Sequence, residues 1–167
     1  MSEFLTLYIL FAMLATCWFD VTRYTIPNWL VGSLLALYPV AFYLHPHGVD
    51  WKMALAAMGL VFACGFVVFA LKIMGGGDIK LITVLALWVG WRWLPDFVVL
   101  FAVLGGVFSI FLLVMRKIFP YVPLPKSVKT PRIFQNKAPV PYGVAIAGAF
   151  VILMAQGKIS VLAAVLQ

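Results

Sequence analysis

The sequence predicts an all-α integral membrane protein, a bundle of about six transmembrane helices built as one domain over residues 1–167. Two observations carry this. Hydrophobic residues make up 65% of the 167 positions and the mean hydropathy is +1.11, well outside the range of soluble globular chains. The apolar residues also gather into six runs separated by short segments that hold most of the charge. Cys17 and Cys64 each lie alone inside an apolar run, so neither a disulfide framework nor a zinc site is implied, and both read as small core residues.

The first run, Phe4 to Phe19, is closed by Asp20 and Arg23. It has no basic segment before it and no small-residue cleavage site after it, so it is expected to stay in the membrane as a span. The second, Trp29 to Leu44, follows Pro27, which suits a first helical turn because its missing N–H is not needed there. The third, Met53 to Met74, ends at three glycines, and the fourth, Ile79 to Leu94, begins just after them. The fifth is Phe97 to Met115 and the sixth Tyr142 to Gln156. Several are shorter than the ~20 residues that cross a bilayer upright, so flanking residues or local thinning must make up the difference. The apolar tail from Ile159 to Leu166 is too short to span and suits the interface.

Charge sets the expected orientation. Arg23, Lys72, Lys80, Arg116, Lys117, Lys126, Lys129, Arg132 and Lys137 fall on one side of the six spans, and only Lys52, Arg92 and Lys158 on the other. The side with nine is cytoplasmic by the positive-inside rule, which places both termini outside and makes residues 116–140 the main cytoplasmic loop. The whole net charge of +7 then lies on the cytoplasmic face. It would favour anionic lipid headgroups there, and no nucleic-acid role is needed to explain it.

The same topology sorts the acids. Glu3, Asp50 and Asp96 fall outside, leaving Asp20 and Asp78 as the two on the cytoplasmic side, each at the end of a span. A helix end can simply solvate an acid, and the first turn of a helix favours one. A pair at one membrane level offers more: two carboxylates a few ångströms apart share a proton and divide into a base and an acid. Such a pair can activate water and polarise a peptide carbonyl without a metal or other cofactor. Gly75, Gly76 and Gly77 beside Asp78 would allow positive φ angles and close approach of a substrate backbone. The small residues Gly105, Gly106 and Ser109 in the fifth run, and Gly143, Ala147 and Gly148 in the sixth, suit close helix packing.

Three segments resemble one known family. Gly75-x-Gly77-Asp78, followed by Ile79 and Lys80, resembles the GxGD signature of the type IV prepilin peptidases; "DVTRYTIPNWL" from Asp20 resembles the segment with their first catalytic aspartate; "PVPYGVAIAGA" from Pro139 resembles the start of their last core helix. The resemblance implies a multi-pass aspartic endopeptidase of the bacterial inner membrane, with Asp20 and Asp78 as the catalytic pair. Gly75, Gly77, Arg23, Asn28 and Lys80 match neighbouring motif positions and are expected to bind substrate. Lys80 lies about 200° around a helix from Asp78, so a direct pair between them is not expected. The short chain without a cysteine tetrad is similar to the Flp (tad) pilus type, which cuts without N-methylating. The implied partner is a prepilin or pseudopilin, cut after a glycine that ends a short basic leader and precedes an apolar helix.

Two other classes fit part of the pattern. Intramembrane acids also mark a small ion-coupled transporter or channel, against which the mid-span regions here are free of charge. A non-catalytic membrane subunit of pilus assembly would share the spans and the motifs. The "HPHG" stretch at His45 to Gly48 has metal-ligand residue types but lies on the outer side, and reads as a polar loop.

Overall fold

The computed structural model describes residues 2–44, 50–119, 133 and 138–159, and five helices lie among these described residues. They are α1 (Ser2–Arg23), α2 (Asn28–Leu44), α3 (Trp51–Ala70), α4 (Gly76–Ile118) and α5 (Tyr142–Ala155). By length and apolarity α1, α3 and α4 can cross a membrane, while α2 and α5 are shorter apolar helices. Among the described residues the expected count of six is therefore corrected to five, because the fourth and fifth apolar runs join in the 43-residue α4. The His45–Gly48 stretch, most of the 116–140 loop and the tail beyond Ile159 lie outside the described residues.

α4 is one element by hydrogen bonding but two helices by direction. Lys158, just past the end of α5, pairs with Asp96 near the start of the second arm (Nζ–Oδ1 3.1 Å). Arg116, near the end of that arm, donates from Nη2 to the Pro139 carbonyl just before α5 (3.1 Å). The second arm and α5 are thus antiparallel. The first arm starts beside the N-terminal end of α5, since Asp78 shares a cavity with Asp20 and Asp20 meets Gly143. The chain therefore reverses between the arms, and Gly90 is where it turns, with φ 73° and ψ 173°. That backbone region is open essentially to glycine alone. The turn comes before the expected break at residues 95–96 because Pro95 is tolerated early in the second arm, where few intrahelical N–H bonds are lost.

The first arm is the hub of the bundle. Every residue from Leu81 to Val89 is buried, as a helix apolar all round requires. α2 ties to it through Trp88, whose Nε1 donates to the Leu34 carbonyl (3.1 Å) and whose ring packs edge-on against Tyr38 at 5.4 Å. α1 joins α2 through the Tyr8 hydroxyl, 2.6 Å from Ser33 Oγ. On α1 the buried positions are Leu5, Ile9, Ala12, Met13, Thr16 and Asp20, a stripe at helical spacing. Phe4, Leu7, Phe11, Leu14 and Trp18 face outward on the same helix. An outer face as apolar as the inner one suits contact with lipid chains. α3 lies at the edge, burying Ala54 and Ala57 and exposing Leu60, Phe62, Phe66 and Phe69. It is capped by Asp50, whose Oδ1 accepts from the N–H groups of Lys52 and Met53 at 3.1 Å each. Cys64 faces outward on this helix and is not the core residue expected, whereas Cys17 is half-buried and packs against the core.

Candidate active site

The two acids expected to pair line one cavity. It holds about 290 Å³ and is bounded by Asp20, Tyr24, Thr25, Ile26 and Asn28 from the α1–α2 connection and by Gly75 through Asp78 and Lys80 from the start of α4. Asp20 reaches it because α1 runs past its apolar stretch to Arg23. Asp20 thereby falls on the last turn of the buried stripe, with only 5% of its surface exposed. Asp78 reaches the cavity from the other direction, in the first turn of α4. The two carboxylates are close enough to interact electrostatically.

Each carboxylate is held by backbone. Gly143 N–H donates to Asp20 Oδ2 at 2.6 Å, and the N–H of Val144 also serves that carboxylate. These groups belong to the first turn of α5, where N–H groups lack intrahelical acceptors. Asp78 folds back onto the N–H of Gly75, the residue before its helix. A Cβ at Gly75 would lie 3.2 Å from Asp78 Oδ2, so the space at Gly75 is what lets the side chain turn back. The positive φ angles expected of the three glycines are absent: Gly75 is extended at φ −69°, and Gly76 and Gly77 lie within the helix.

The other expected residues divide. Lys80 Nζ donates to Asn28 Oδ1 at 3.2 Å, joining the start of α2 to the first turn of α4 across the cavity rim. Arg23 is exposed, stacks on the Phe19 ring at 5.2 Å and is not part of the cavity wall. Gly77 lies against Ile26, where a Cβ would sit 3.5 Å from the backbone nitrogen.

Tyr24 and Gly143 were not anticipated as site residues. Tyr24 ends α1 with φ 54°, its N–H donating to the Asp20 carbonyl at 3.0 Å; nothing in its residue type signals a left-handed turn. In sequence Gly143 is a small residue suited to packing, and the signal of its other task is Pro141 two positions earlier, which cannot cap the helix with its side chain. Arg116 is buried and donates to the carbonyls of Ile133 (2.9 Å) and Pro139 (3.1 Å), fixing the approach to α5.

A larger cavity of about 530 Å³ lies at the opposite end of the bundle, among Tyr38, Asp50, Trp88, Gly90 and Trp93. Its carboxylate, Asp50, is already committed to capping α3, so it offers no acid pair. The acid pair is at the α4 start, inside a segment with a known counterpart: the sequence profile of the type IV leader peptidase family matches residues 7–110.

The chain belongs to the type IV leader peptidase family.

No curated protein and no solved structure matches it. Family membership gives the chain a leader-peptidase type of function in a membrane setting. The matched segment contains both aspartates and ends before α5.

Proposed function

We propose that the protein is a prepilin leader peptidase of the aspartic type, with Asp20 and Asp78 as its catalytic pair. The observation that carries this is the common cavity: two carboxylates 58 positions apart in sequence line one pocket at the same end of the bundle. In the proposed reaction one ionised carboxylate takes a proton from water, whose oxygen bonds to the scissile carbonyl carbon. The protonated partner gives its proton to the carbonyl oxygen. Collapse of the tetrahedral intermediate breaks the C–N bond, and the amine leaves with the proton the base had taken. Burial of Asp20 strengthens these charge interactions over their strength in water.

The substrate is a prepilin whose basic leader ends in glycine ahead of an apolar helix, in the manner of Flp pilins, and the site faces the cytoplasm at the edge of the bacterial inner membrane. Gly75, Gly77, Asn28 and Lys80 form the rim against which the leader peptide lies. Arg23, outside the cavity wall, is better placed to meet lipid headgroups.

Co-expression with a candidate prepilin, scored by the mobility shift of the processed form, tests the reading. Asp20→Asn and Asp78→Asn are each expected to abolish processing while the protein still inserts. Full processing by either variant would overturn the mechanism.

A further inference from the structure

α5 begins without a cap of its own. Its N-cap residue is Pro141, which makes no side-chain cap hydrogen bond, so its first N–H groups must find acceptors elsewhere. Those of Gly143 and Val144 find Asp20, on another helix and 123 positions away in sequence. The approach is close enough to require glycine. A Cβ on Gly143 would lie 2.7 Å from Asp20 Oδ2, 3.0 Å from Cγ and 3.2 Å from Cβ. The obstructed group is a short, buried side chain, so it cannot swing its far end aside as a lysine could.

We propose that the N-terminus of α5 is a positioning element of the active site. Gly143, through its N–H and its missing side chain, holds Oδ2 of Asp20 and leaves Oδ1 for the water and Asp78. The positive end of the helix dipole also favours a negative charge at that point. Pro141 is part of the device. A serine or aspartate there would offer its own oxygen to the second and third N–H groups of the helix, the two that Asp20 uses. The inference rests on the aspartic peptidase reading and adds to it a segment beyond residues 7–110.

The test uses the full-length protein in lipid nanodiscs with a prepilin that the wild type cuts. Gly143→Ala is expected to lower kcat roughly 10²-fold, as an ångström-scale displacement of a reacting group does, with little change in KM. Pro141→Ser is expected to leave thermal stability unchanged or raised while lowering kcat roughly fivefold, the equilibrium worth of one competing cap. Gly148→Ala is the control, since a Cβ there meets only Leu104 Cδ1 at 3.7 Å, and it should turn over like wild type. Wild-type kcat in folded Gly143→Ala or in Pro141→Ser overturns the inference alone. If Gly143→Ala fails to fold, Pro141→Ser decides, because a merely structural helix start would not lose turnover on gaining a cap. A wild type that cuts no prepilin overturns the peptidase reading and this inference together.

Discussion

At the scale of single residues, the site is made as much by backbone as by side chains. Asp20 and Asp78 were legible in the sequence because an acid among apolar residues stands out and topology placed both at one level. Their restraints were not, since a backbone N–H is the same whatever residue carries it, and Gly143 in sequence is only a small residue. The task assigned to Gly75 also changed: it gives room to a carboxylate and not a left-handed turn. Gly75→Ala should therefore push Asp78 off its rotamer at a cost of about 0.5–1.5 kcal/mol, which is up to ~tenfold in rate. The measurement is kcat on a prepilin substrate, with membrane insertion as the control, and an unchanged kcat would mean that the return of Asp78 to the Gly75 N–H has no part in turnover.

At the scale of elements, hydropathy located the runs but missed how two of them join. Trp91, Trp93 and Leu94 made the fourth run look continuous past Gly90, and the backbone angle that turns the chain has no signature beyond the glycine itself. Nor could periodicity show which face of α1 points inward, because both faces are apolar; Thr16 and Asp20 are the markers that the sequence supplies. Gly90→Ala has open space around its Cβ, so its penalty is conformational, about 1–3 kcal/mol. Asparagine should rescue little, because φ 73° with ψ 173° lies outside the left-handed helical region that asparagine tolerates. Denaturant titration in mixed micelles, comparing Gly90→Ala with Gly106→Ala, measures this; Gly106 also has nothing within 4 Å but lies in regular helix. Equal stability of the two would argue against a strained turn.

At the scale of the whole molecule, class, family and the pairing of Asp20 with Asp78 were legible in composition, topology and three short segments, whereas the part of α5 in holding Asp20 was not. Single cysteines in a background lacking Cys17 and Cys64 test the proposed orientation. An impermeant maleimide should label Lys52→Cys and Arg92→Cys in intact spheroplasts, and Lys72→Cys and Lys117→Cys only after lysis; the reverse pattern would invert the topology. The first arm of α4 and the 14-residue α5 are each about 21 Å long at 1.5 Å per residue, short against a hydrocarbon core of about 30 Å. The hydrogen bond from Gly143 to Asp20 also sets a schedule for biosynthesis. A ribosome has made both aspartates by residue 78, yet the groups that orient Asp20 emerge only with α5. The nascent chain therefore carries both acids for a further 65 residues before Gly143 is made, and the restraint on Asp20 arrives only with the last described helix.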